Sequence, residues 1–220
     1  MRDSRRSFLK KTGVSAGVAG LIGGAANTAS ADHDLNNHSP LADRWVPSPN
    51  YNWSNRGMAE IDWVIIHLTA ATDCSTENTM ENGNVSYHYM VSNYDSTCWS
   101  PGTVTQYVEQ SDIAWHARGG NDSSIGVSVE WTDGSGEISW TAYDKLAELV
   151  SWICDDVGVV KSCRPRWSNS PWCDYSGGIV GHRDAPDCTG CACSNTVATA
   201  CPHPDGFDWA TFDSHLDRYR

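Results

Sequence analysis

Positive charge is scarce in this chain. Fifteen Lys and Arg face 27 Asp and Glu among 220 residues, a formal net charge of −12. Beyond residue 31 only two lysines remain, Lys145 and Lys161. Such a surface repels a phosphate backbone, so nucleic acid is not an expected partner. Also missing is any run of about 20 strongly apolar residues, the length a membrane-spanning helix needs. The nearest approach, residues 13–26, is short and built largely of Gly and Ala. Internal repeats are absent, and nothing marks a second folded domain.

What the first residues do contain is an address. Arg5 and Arg6 stand in "SRRSFLK", which resembles a twin-arginine export signal, and Ala29-Ser30-Ala31 forms an A-x-A cleavage pattern. Residues 1–31 are therefore expected to be a removable signal. No Cys lies near the cleavage site to carry a lipid, so no stable membrane insertion is expected after cleavage. Its loss takes away five basic residues and one acidic one, so 10 basic would face 26 acidic, a net charge of −16. That excess suits a secreted protein kept soluble in strong salt, where repulsion is screened over a few Å.

All nine Cys lie beyond the signal: Cys74, Cys98, Cys154, Cys163, Cys173, Cys188, Cys191, Cys193 and Cys201. An exported chain is expected to place most of them in disulfides. Nine is odd, so one thiol is free, bridged to a partner or bound to a metal.

Residues 32–59 are punctuated by Pro, Asn and Ser and read as an irregular leader, with one domain over 60–220. Within it, "EIDWVIIHL" (60–68), "VSYHYMV" (85–91), "TVTQYVEQ" (103–110), "SIGVSVEW" (124–131) and "GGIVGH" (177–182) read as strands. "TAYDKLAELVSWICDDV" places Leu146, Leu149, Val150 and Ile153 on one face at helical spacing, with Thr141 and Asp144 as a weak capping pair. A closing helix is read over 207–219, Phe207 and Phe212 turned inward. The order predicts an α/β fold, a mixed central β-sheet flanked by helices.

His67 and His182 stand at the ends of two predicted strands. Zinc needs ligands from rigid, converging elements, and a catalytic site takes three protein groups and leaves a position for water. The tail offers Cys188, Cys191, Cys193, Cys201, Asp187, His203 and Asp205 as a third ligand, and the odd Cys count favours a thiolate. Chemistry alone does not choose among them.

Five segments, in order, resemble the zinc-dependent N-acetylmuramoyl-L-alanine amidase family, which includes phage T7 lysozyme and the peptidoglycan recognition proteins. They are "WVIIHLTAAT", "VSYHYMV", "DIAWHARGGNDSSIGVSVE", "GIVGHRDAP" and "ACPHPDGFDW". The resemblance covers roughly residues 60–212. It implies His67, His182 and Cys201 as ligands of one zinc ion and Tyr87 as the catalytic hydroxyl. It implies a substrate side formed by Trp115, His116 and Asn121, with His116 hydrogen-bonding peptide or glycan and Trp115 packing beneath. The bond cut would join the lactyl group of N-acetylmuramic acid to L-alanine in peptidoglycan. A secreted monomer is expected.

With Cys201 on the metal, eight Cys remain for four disulfides, at least one tethering residues 188–193. The alternative for those residues is a second metal on Cys188, Cys191 and Cys193. Two departures stand out. The gap from His182 to Cys201 is 19 residues, long for the family, and Thr199 stands where some members carry Lys. Ser128 occupies the position of a catalytic Glu found in another branch, and Glu130, on the same strand face, is not given that role. Two other classes compete: a recognition module that binds peptidoglycan without cutting it, and an acidic, disulfide-rich surface protein. The complete ligand set favours the enzyme.

Overall fold

The computed structural model describes residues 38–54, 56–95, 98–132, 136–163, 177–185, 201–202 and 206–220. Residues 1–31, read above as a signal, together with Cys173, Cys188, Cys191, Cys193, Asp187, Thr199, His203 and Asp205, lie outside the described residues, and with them the second-metal alternative.

The elements in chain order are β1 (Arg44–Trp45), β2 (Tyr51–Asn52), β3 (Trp63–Leu68), α1 (Asp73–Asn82), β4 (Tyr89–Val91), β5 (Val104–Gln106), β6 (Ile113–Ala114), β7 (Ser124–Val129), α2 (Trp140–Val157), β8 (Gly178–Gly181) and α3 (Trp209–Leu216). Six strands form one sheet in the order β1-β5-β4-β7-β3-β8, and β2 pairs with β6 in a separate two-stranded sheet. β3 runs parallel to β7 and to β8, β7 parallel to β4, and β4 antiparallel to β5. The predicted mixed sheet with helices is thus present.

β3 is buried at all six positions, as its apolar sequence requires of a central parallel strand. The alternation of strand side chains sends Val64, Ile66 and Leu68 into the core shared with α2, Phe207, Phe212 and Leu216. Trp63 and Ile65 face the other way, among Ala117, Val180 and Ala185. In α2, Leu146, Leu149, Val150 and Ile153 are fully buried, each contributing roughly 1.5–3 kcal/mol by leaving water. The cap of this helix is Ser139 rather than the expected Thr141. Ser139 Oγ accepts the Ala142 N–H at 3.1 Å, and Thr141 already lies inside the helix.

Three further expectations are corrected. α1 has no counterpart in the sequence reading because its face is polar: only Asp73, Thr76 and Met80 are buried, so there is no apolar stripe to read. Tyr87 precedes β4 rather than lying within a strand over 85–91, because the neighbouring Ser86 is tied to the small sheet. Its N–H donates to the Trp115 carbonyl, and the Trp115 N–H donates to its Oγ. The stretch read as irregular supplies β1 and β2, β1 pairing with β5 at the sheet edge.

The disulfide network is also smaller than expected among the described residues. Cys74 and Cys98 are bridged, but Cys154 and Cys163 are not. Cys154 lies on the buried face of α2 and Cys163 packs against the same core, where a thiol serves as a small apolar side chain. Burial pushes both thiols up to about 12.

Candidate metal centre

Parallel register assembles the site. Ile66 of β3 pairs with Gly181 of β8, and His67 pairs with Ser128 of β7. His182 directly follows Gly181, so it arrives beside His67, with ring centroids 4.5 Å apart. Cys201 comes from the chain segment laid across these strand ends, where its carbonyl accepts the Arg183 N–H at 2.5 Å. Its Sγ accepts the Leu68 N–H at 3.2 Å and lies 3.9 Å from His67 Nδ1. One ligand atom from each of His67, His182 and Cys201 lies within 4.8 Å of the others. Two imidazoles and a thiol can hold a metal in this arrangement.

Burial sets the charge state of the cluster. It drives His67 well below the usual imidazole value, with His182 and His88 adding to the effect. It lowers His182 to about 4, with the Arg118 cation adding. It raises the Cys201 thiol to about 11, partly offset by the Leu68 N–H. At neutral pH the imidazoles therefore keep free lone pairs. Among the described residues His182 Nε2 is buried without a hydrogen-bond partner, which costs free energy unless something else satisfies it.

The ring of Tyr87 lies 4.9 Å from that of His67. Its hydroxyl pKa is raised by burial first and then by Cys201, with Ser128 acting the other way. Ser128 is near enough to exert that influence, although among the described residues its Oγ makes no hydrogen bond of normal geometry. The tyrosine thus stays a protonated donor. His116 also joins the cluster: its Nδ1 is 3.1 Å from His67 Nε2 and its Nε2 is 3.3 Å from Ser124 Oγ. The side chains of Trp115 and Asn121 turn elsewhere. Trp115 is 36% exposed and donates from Nε1 to Asn52 Oδ1, while Asn121 Oδ1 accepts the backbone N–H groups of His116 and Ala117.

A family model described as N-acetylmuramoyl-L-alanine amidase matches residues 57–204. The chain belongs to that family. Comparison with curated protein sequences returns no match. Among solved structures, a Staphylococcus aureus hydrolase AmiA in complex with its ligand superposes with a TM-score of 0.54 at 15% identity, covering 81% of this chain and 82% of that one. A selenomethionine derivative of AmpD gives 0.51 at 20%, covering 82% and 97%. AmpDh3 from Pseudomonas aeruginosa in complex with anhydromuramic pentapeptide gives 0.51 at 18%, covering 71% and 60%. At these identities the likeness is one of fold.

In this amidase-family chain Glu130 is a clamp. Its Oε1 accepts the Asp73 N–H and its Oε2 those of Asn93 and Tyr94, so it fixes the start of α1 and the turn after β4. Arg56 and His88 were not singled out from the sequence. Arg56 is buried and donates to the carbonyls of Gln110, Asn121, Asp122 and Ser124. A lone arginine in a Ser- and Asn-rich stretch of so acidic a chain was the available signal. His88 Nδ1 accepts the Gly126 N–H at 2.9 Å, a role for which a histidine inside "VSYHYMV" carries no local signal.

Proposed function

We propose that this chain is a zinc-dependent hydrolase that cuts the amide between the lactyl group of N-acetylmuramic acid and L-alanine in peptidoglycan. The observation that carries the reading is the convergence of His67, His182 and Cys201 with the Tyr87 hydroxyl beside them. The donor set fits zinc. Bonds of about 2.0 Å to nitrogen and 2.3 Å to sulfur at tetrahedral angles put the two ligand atoms about 3.5 Å apart. The 3.9 Å between His67 Nδ1 and Cys201 Sγ is close to that. Two neutral imidazoles supply lone pairs without losing protons, and Cys201 gives up its proton as the metal enters.

When bound, zinc supplies a Lewis acid and water acidified toward neutrality. The protein's own groups do the rest. His67, from the buried β3, and His182, from the end of β8, hold fixed positions. Tyr87, kept protonated by burial, donates from its hydroxyl to oxygen that gains negative charge as the amide carbonyl is attacked. Glu130 is committed to backbone N–H groups and takes no proton in this scheme. The reading extends to an exported monomer acting outside the cell, supported by the Arg5-Arg6 pair, the Ala29-Ser30-Ala31 pattern and the acidic surface.

The test is elemental analysis together with a peptide-release assay on the protein from residue 32 onward. About one zinc per chain is expected, lost in His67→Ala, His182→Ala and Cys201→Ala. Muropeptides should yield stem peptide with a new alanine amino terminus. Folded protein without zinc refutes the metal site. A zinc-loaded protein that binds muropeptide and releases no peptide would make the chain a recognition module instead.

A further inference from the structure

We infer that His116 is a positioning residue that sets the tautomer of His67 and thereby selects the nitrogen offered to the metal. This rests on the zinc reading above. The direction of each hydrogen bond follows from the far end of a short chain of groups. Ser124 Oγ lies 2.6 Å from the Gly120 carbonyl, which can only accept, so the hydroxyl proton is committed there. The same Oγ is 3.3 Å from His116 Nε2 and has only lone pairs left, so Nε2 carries a proton and donates it. A neutral imidazole has one N–H, which leaves His116 Nδ1 as an acceptor. That atom is 3.1 Å from His67 Nε2, so His67 is protonated on Nε2. The same count leaves His67 Nδ1 bare, and Nδ1 is the nitrogen that faces Cys201 Sγ. A carbonyl, a serine and two imidazoles thus end in a lone pair aimed at the metal position.

The backbone that carries this ring is fixed, and the ring has a fitted space. Asn121 Oδ1 accepts the backbone N–H groups of His116 and Ala117 at 3.0 and 2.6 Å. The Arg56 guanidinium holds the Asn121 and Asp122 carbonyls. Gly126 leaves room for the ring, since a Cβ there would sit 2.6 Å from His116 Cγ. With both nitrogens engaged inside the protein and the residue 7% exposed, His116 has no free nitrogen for substrate. Partners that orient a metal-ligating histidine through its other nitrogen fix its tautomer and raise its affinity for the metal.

The experiment compares zinc affinity, by competition with a chromogenic chelator, in the wild type, His116→Phe and His116→Asn. The Phe variant keeps a ring and loses the acceptor, so its affinity should fall about 10- to 100-fold. The Asn variant places Oδ1 where Nδ1 was and should recover most of that loss. Equal affinity in the wild type and the Phe variant overturns the proposal and leaves the zinc site standing. A wild type that binds no zinc overturns both. Nitrogen-15 spectra of the wild type supply a measurement independent of any variant's folding. Both His67 and His116 should be protonated on Nε2, with His67 Nδ1 shifted on zinc addition. A proton on His67 Nδ1 in the metal-free protein overturns the proposal.

Discussion

Tyr87 keeps its proton because burial and the Cys201 sulfur both oppose a phenolate there, and a protonated hydroxyl is what a developing oxyanion needs. Tyr87→Phe removes that donor and keeps the ring. Turnover should fall about 100- to 1000-fold, the loss of roughly 2.7–4 kcal/mol expected for one well-aimed donor. Zinc content should hardly change. A Phe variant as active as the wild type would remove Tyr87 from the chemistry while leaving the metal site intact. The candidate residues were legible individually: a histidine ending an apolar strand, another in "VGHRD", and one cysteine left over by an odd count. Their partners were not. That both nitrogens of His116 are taken, and that Glu130 spends its oxygens on three N–H groups, depends on neighbours far away in sequence.

Elements position these residues through close approaches that allow little extra volume. At the end of β8, a Cβ on Gly181 would lie 2.7 Å from Pro202 Cδ and 3.3 Å from Trp209. Gly181→Ala should therefore push the Cys201–Pro202 segment away from His182, at a cost of about 1–3 kcal/mol in stability. Zinc affinity should fall more than the helical signal, and chelator competition beside thermal unfolding separates the two. Unchanged affinity would mean that the segment moves without carrying Cys201 off. α1 depends on a different device. Its buried residues are few, so the Cys74–Cys98 bridge, closing 24 residues, holds it to the loop after β4. Cys98→Ser should lower stability by about 3 kcal/mol, read as a shift of the denaturant midpoint. A midpoint that does not move would show that Glu130 and the N-terminal cap of α1, where Thr72 Oγ1 accepts the Ser75 N–H, suffice to hold the helix.

For the molecule as a whole, burial of neutral histidines makes stability depend on pH. His67, His88 and His116 are each held well below the imidazole value of 6.5 that they regain on unfolding. A base whose folded pKa is depressed contributes fully above its unfolded pKa, and that contribution is lost as pH falls below it. Protonating His88 would also break its bond to the Gly126 N–H and set a cation beside Arg56. With zinc removed by chelator, stability should be flat from pH 8 to 7 and then fall below about 6.5, by about 4 kcal/mol per pH unit if these three all act, and His182, lowered to about 4, steepens the fall. Unfolding midpoints measured across that range check it. A profile still flat at pH 5 would show that these rings do not stay neutral together in the fold.

From the sequence alone came the central strands, the long helix, the candidate ligands and the family resemblance, because each depends on local periodicity or on short ordered motifs. The apolar runs of β3 and β7 read as buried strands, and the four-residue stripe of α2 as a helix face, without any knowledge of neighbours. The tertiary structure alone decided which strands lie side by side. A period of two tells which face His67 takes, but not that β8 pairs with β3 in a register that delivers His182 next to it. Nor does it reveal that Cys201 lies within reach of His67 Nδ1, or that Ser124 and His116 orient the proton behind it. Such facts are set by parallel pairing across more than a hundred residues and by the direction of buried hydrogen bonds, neither of which leaves a local pattern in the chain.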